Sequence, residues 1–157
     1  MTPEAPVAEG RTHEFTTKNG AETIEVGRKL AQLLAPPQLL ILRGDLGTGK
    51  TTLVKGIAEA LNAAEADEVT SPTFTLLHEY HGAREGHPVK LFHLDVYRLE
   101  GERQLETLGL DELLTPEALV LVEWGDKFKS IRKKATGEIA ITSTGGDARK
   151  ITVTLKQ

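Results

Sequence analysis

One eight-residue stretch limits what this chain can fold into more than any other. Gly44-Asp45-Leu46-Gly47-Thr48-Gly49-Lys50-Thr51 matches the spacing G-x-x-x-x-G-K-[ST]. Before it stands an unbroken apolar run, Leu39-Leu40-Ile41-Leu42. A short run without alternation reads as a strand buried on both faces, as in a parallel sheet. After it, Leu53, Val54, Ile57, Ala58 and Leu61 recur at helical spacing, so residues 50–61 are expected to form a helix. Strand, glycine-rich turn and helix are the setting in which this spacing cradles phosphates. Glycines let successive backbone N–H groups turn inward, and the helix N-terminus adds its dipole and unpaired donors. The expected ligand is a nucleoside triphosphate with Mg²⁺. Asp45, Gly47, Thr48 and Gly49 supply the loop, Lys50 a cation for the β- and γ-phosphates, and Thr51 a hydroxyl for the metal. Thr52 is a candidate contact for the α-phosphate.

The rest of the chain can be arranged around that unit. Residues 1–11 read as a disordered tail and 12–157 as a single P-loop ATPase domain. His13 to Thr17 is β-prone. Asn19 with Glu22 three residues later has the spacing of a capping box, and an amphipathic helix is expected over 20–35, ended by Pro36-Pro37. Phe74–Tyr80 and Val89–Val96 form a hairpin whose polar connection, His81 to Pro88, reads as a loose tip. Leu105 to Leu114 makes one or two short helices around Gly109. Ala118 to Val122 is a second unbroken apolar run and a second central parallel strand. Ile139/Ile141 and Ile151/Val153/Leu155 alternate with polar residues about Thr144-Gly145-Gly146-Asp147, a closing antiparallel hairpin. The expected fold is α/β: a three-layer P-loop NTPase-type fold with a central, mostly parallel sheet extended by antiparallel hairpins.

Composition narrows the function. Acidic residues outnumber basic ones, 23 to 19, for a net charge of -4. That argues against a chain whose main task is to wrap nucleic acid, although a role through partners stays open. The absence of cysteine removes disulfides, thiolate catalysis and cysteine-based zinc sites, and fits a cytoplasmic protein. No apolar run reaches a membrane span, and residues 1–11 carry no apolar segment of a signal peptide.

A phosphate loop works with an acid at the end of a neighbouring strand. Asp95 follows Leu91-Phe92-His93-Leu94, and Glu123 follows the second apolar run. Alone, either reads as a solvated strand-end carboxylate. Beside the loop, both are candidates for the Mg²⁺ shell or for orienting the attacking water, and the sequence does not assign which does which. No Asn-Lys-x-Asp element for guanine is present, which favours ATP. A small-molecule kinase and a nucleotide-dependent binding module without turnover are the alternatives. His78, His81, His87 and His93 read as exposed hairpin residues rather than a metal site. Lys127, Lys129, Arg132, Lys133 and Lys134 form the one dense basic run, either a solvated face or a contact for an acidic partner.

Taken together, five segments resemble the bacterial TsaE (YjeE) family. They are the phosphate loop, Ser71-Pro72-Thr73-Phe74-Thr75, His93-Leu94-Asp95-Val96-Tyr97-Arg98-Leu99, Gly109-Leu110-Asp111-Glu112 and Val122-Glu123-Trp124. The resemblance implies slow ATP hydrolysis required for the N6-threonylcarbamoyladenosine modification of tRNA. It implies action on a complex of TsaD and TsaB proteins that holds the tRNA. It implies a switch-like role for Ser71-Pro72-Thr73, with Thr73 sensing the γ-phosphate. It makes Asp95 the acid of a modified Walker B segment and Glu123 an acid associated with Mg²⁺. Trp124 is placed beside the nucleotide and the partner surface; without the resemblance it reads as a core residue. Gly20 and, more weakly, Gly146 and Arg149 are implied near the base. Gly146-Asp147 replaces the Gly-Arg common at that turn, and Gly125-Asp126 replaces the usual Pro-containing continuation.

Overall fold

The computed structural model describes residues 11–45, 47–72 and 76–156. The strands are β1 (Arg11–Thr17), β2 (Gln38–Arg43), β3 (Leu77–Arg84), β4 (His87–Asp95), β5 (Ala118–Glu123), β6 (Gly137–Gly145) and β7 (Ala148–Leu155). They form one sheet in the order β1-β7-β6-β2-β5-β4-β3. The helices are α1 (Gly20–Leu33), α2 (Lys50–Ala60), α3 (Glu102–Leu108), α4 (Leu110–Leu113) and α5 (Lys129–Lys134). The expected tail lies outside the described residues except for Arg11, which opens β1.

The centre of the sheet is parallel: β2 pairs with β5 and β6, and β5 with β4. Helices cover both faces there. Leu40, Leu42, Leu119 and Leu121 share one core cluster with Leu53, Val54 and Ile57 of α2 and Leu30 of α1. Leu39, Ile41, Val120 and Val122 share the other with Leu105 of α3, Leu110 of α4 and Ile131 of α5. That is why the two apolar runs do not alternate. Toward the edges, pairing becomes antiparallel, in β3–β4, β6–β7 and β1–β7. Ile139, Ile141, Ile151 and Val153 all face the α1–α2 cluster, so these strands keep an alternating pattern.

Local chemistry sets the element ends. Asn19 caps α1 by accepting from the Glu22 N–H at 2.9 Å, and Glu22 accepts from the N–H of Lys18 at 2.7 Å. The return bond thus lands one residue earlier than in a standard capping box. The β3–β4 hairpin is tighter than the expected loose tip. The strands pair as far as Arg84 and His87, and only Glu85 and Gly86 turn. Both have positive φ, 53° and 83°, the signature of a two-residue type I′ turn that suits strand twist. Gly109, at φ 77°, separates α3 from α4. Helix α5 was not expected: it has six residues and buries only Ile131, too few for a periodic pattern.

α1 and α2 pack backbone to backbone through Gly27 and Gly56. A Cβ on Gly56 would run into the carbonyl of Ile24, and one on Gly27 into that of Leu53. Gly56→Ala therefore sets two effects against each other: a helix-propensity gain of about 1 kcal/mol and overpacking of about 1–3 kcal/mol against immovable backbone. Overpacking is expected to win, lowering the melting temperature by several degrees in a thermal melt; an unchanged or raised value would contradict this packing.

Candidate functional site

β2 ends at Arg43, and the chain then turns away from the sheet to begin α2 at Lys50. Gly44 has no room for a side chain, since a Cβ there would meet Thr48 Oγ1 at 2.6 Å and the Ile141 carbonyl at 2.9 Å. Gly47 and Gly49 have φ of 80° and 101°, conformations that favour glycine. Within the loop, the N–H and the hydroxyl of Thr48 both donate to the Asp45 carbonyl, at 3.2 and 2.7 Å. Leu53 N–H donates to Gly49 O at 2.9 Å. The amides of Lys50, Thr51 and Thr52 precede that bond and lie at the positive end of the helix dipole. Leu46 is outside the described residues.

The parallel pairing of β4 and β5 puts Asp95 and Glu123 in register as neighbours at the strand ends. Both carboxylates are buried, 4% exposed each. Glu123 Oε1 lies 3.4 Å from Lys50 Nζ, and Nζ also donates to the Gly44 carbonyl at 2.6 Å. Glu123 Oε2 lies 2.6 Å from Nε2 of His93. Burial pushes the Glu123 carboxyl up, but the hydrogen bond from His93 and the ammonium of Lys50 outweigh it and hold the group below the usual carboxylate range. Asp95 Oδ1 accepts from the N–H of Tyr97 at 2.9 Å.

A cavity of about 670 Å³ gathers most of the expected site. Gly47, Gly49, Lys50, Thr51 and Thr52 line it from the loop, with Ser71, Asp95, Tyr97, Glu123, Trp124 and Arg149 around them. Asp45 and Thr48 line a second cavity of about 530 Å³, which shares Lys50 and Trp124 with the first. Gly20 and Gly146 line neither cavity. Thr73 lies outside the described residues.

Trp124 is not a core residue: it is 38% exposed at the mouth of both cavities. Its backbone is left-handed, φ 65°, an unusual and strained conformation for a bulky side chain. The indole packs on Tyr97 with ring centroids 4.8 Å apart, and Lys50 Nζ lies 5.3 Å from its centroid. Lys127 donates to the carbonyls of Tyr97 and Leu99, at 2.6 and 2.7 Å, tying the segment after Asp95 to the one after Glu123.

Two residues matter more than sequence reasoning allowed. His93 is fully buried, not an exposed hairpin histidine. The available signal was parity: His93 stands two residues before Asp95 and so shares its face. Arg149 donates from Nε to Thr48 O at 2.6 Å and from its terminal nitrogens to Gly47 O at 3.3 Å and Gly146 O at 2.7 Å. It thus fastens the β6–β7 hairpin to the phosphate loop. Of the basic run, Lys127 is engaged as above, Arg132 donates to Asp126 O at 2.6 Å and Lys134 pairs with Asp111 at 3.2 Å. Among the described residues no group of three acids or histidines has metal-binding geometry, and no helix is long and apolar enough to cross a membrane.

A buried parallel strand, a glycine loop closing on a helix N-terminus and two carboxylates on adjacent strand ends define a P-loop NTPase-type fold. The comparisons with known proteins narrow this class. The model of one family, described as "Threonylcarbamoyl adenosine biosynthesis protein TsaE", matches residues 17–151, and the chain belongs to that family. It is 39% identical over 141 residues to the tRNA threonylcarbamoyladenosine biosynthesis protein TsaE of Bacillus subtilis, covering 90% of this chain and 84% of the relative. The protein of that name from Streptomyces coelicolor is 38% identical, with 83% and 88% covered. The crystal structure of Bacillus subtilis YdiB superposes with a TM-score of 0.67 at 33% identity, covering 94% of this chain and 88% of that one.

Because Trp124 is the only tryptophan and lies at the cavity mouth, its fluorescence should report occupancy. Adding Mg·ADP is expected to change the emission of the wild type and leave that of Lys50→Ala unaltered at the same concentration. Identical titrations would remove Lys50 from the binding site.

Proposed function

We propose that this chain binds Mg·ATP at the phosphate loop and hydrolyses it slowly, in the service of tRNA threonylcarbamoyladenosine synthesis. The observation that carries this reading is the buried Glu123 carboxylate 3.4 Å from the loop lysine, with Asp95 beside it. A buried acid in that position suits chemistry at a terminal phosphate better than it suits stability, because burying an ion pair gains little.

The residues present fit the ligand. Gly47, with open space where a Cβ would stand, lets backbone approach a phosphate closely. The amides at the start of α2 and the Lys50 ammonium hold the β- and γ-phosphate oxygens. Thr51, Asp95 and Glu123 offer hard oxygen donors of the kind Mg²⁺ prefers, used directly or through water. Bound there, the metal would offset charge on the phosphate oxygens. Asp95 or Glu123 orients a water whose oxygen attacks the γ-phosphorus as the bond to the β-phosphate bridging oxygen breaks. Trp124 and Tyr97 shield this side of the cavity.

Turnover acts on a complex of TsaD and TsaB proteins, and tRNA is met through that complex. Net negative charge and a basic run largely engaged within the chain support delegated tRNA recognition.

Phosphate release measured with and without purified TsaD and TsaB proteins tests the reading. The expected result is slow release alone and faster release with them; phosphoryl transfer to a small acceptor without free phosphate would favour a kinase instead. Thr51→Ala should weaken nucleotide binding in the presence of Mg²⁺, by roughly 10-fold if one oxygen donor of the metal site is lost, and not in its absence. Equal affinities under both conditions for the wild type would contradict the metal role.

A further inference from the structure

The two-residue period of a strand places His93 and Asp95 on one face of β4, the face that also carries Glu123 of the adjacent β5. His93 is 0% exposed, and its Nε2 lies 2.6 Å from Glu123 Oε2. Its Nδ1 is equally buried and has no hydrogen-bond partner among the described residues. A doubly protonated ring would leave a buried N–H and its charge without an acceptor, a larger cost than an unmet acceptor on a neutral ring. The proton therefore belongs on Nε2, which donates to Glu123.

On the other side of the same carboxylate, Oε1 faces Lys50 at 3.4 Å. Glutamate has three rotatable side-chain bonds, and an unfastened carboxylate at a cavity wall would be spread over several rotamers. We propose that His93 is a positioning residue of this site: by holding Oε2 it leaves Oε1 as the one oxygen of Glu123 presented to Lys50 and the phosphate cavity. The proposal rests on the reading of that cavity as an ATPase site. His93 touches no reacting atom and acts through Glu123, as an outer-shell partner orients a ligand-binding carboxylate.

Two variants separate this role from simple core filling. His93→Gln keeps an N–H donor near the position of Nε2, whereas His93→Leu fills a similar volume without one. Phosphate release, Mg·ATP affinity and melting temperature are measured on the full chain, with TsaD and TsaB proteins present for turnover. The Leu variant is expected to release phosphate about 10-fold more slowly or worse, with Mg·ATP affinity within about threefold of wild type. The Gln variant is expected to recover most of the loss. A folded Leu variant with the wild-type rate, or a folded Gln variant as slow as the Leu variant, would overturn the proposal.

A second measurement holds even if the Leu variant fails to fold. Nitrogen-15 NMR of the wild-type imidazole should show the proton on Nε2, in a hydrogen bond that shifts on Glu123→Gln. A proton on Nδ1 alone would overturn the proposal whatever the ATPase assay gives. If the wild type releases no phosphate with or without partners, the ATPase reading fails, and the NMR result still decides whether His93 holds Glu123.

Discussion

β5 is six residues long and all six are buried, between two parallel neighbours and under helices on both faces. This burial is the constraint from which the site follows. A strand so enclosed can end in a carboxylate only where the sheet opens at its C-terminal edge. There the parallel register sets Glu123 beside Asp95, and the loop after β2 delivers Lys50 to the same edge. In an antiparallel arrangement the end of β5 would meet the beginning of its neighbour, and the acids and the lysine would be separated by the length of a strand. The chemistry depends on three chain directions agreeing.

Much of this was legible because each signal was local. The unbroken runs at 39–42 and 118–122, the loop spacing and the alternation at 139–155 each occupy a short contiguous stretch, and each states its own burial. Asn19 and Glu22 mark the start of α1 by their own hydrogen bonds. The loop and both acids could be named before the fold was known, because their residue types carry the chemistry. What stayed hidden was long-range or too short to show a period. His93 meets Glu123 across thirty positions, and Arg149 meets Thr48 across about a hundred. No window of sequence contains either pair. α5 contributes a single buried side chain, so its pattern was a run of charge and nothing more. Trp124 taken by itself reads as a core residue because large aromatics are usually buried, whereas here it is exposed and lines the cavity on a left-handed backbone.

The segments after the two acids behave as one piece. Tyr97 packs on Trp124, and Lys127 spans from the second segment to two carbonyls of the first. The N–H of Val96 also donates to the carbonyl of Glu123 at 3.2 Å. A shift of either loop must carry the other with it. The basic run therefore begins with a residue that ties two loops together, a role that charge counting could not reveal.

The reach of Arg149 has a consequence for the orientation of the glycine loop. A trans peptide unit is planar, so its C=O and N–H point in opposite directions. By drawing the Thr48 carbonyl toward its guanidinium, Arg149 fixes the far side of that plane, and the N–H of Gly49 must point away from Arg149. The orientation of an amide in the loop at the end of β2 is thus set by a side chain on the last strand of the fold. The C-terminal hairpin is in this sense a wall of the glycine loop, and shortening the chain from that end would unlatch the loop well before it reached any residue of the glycine motif.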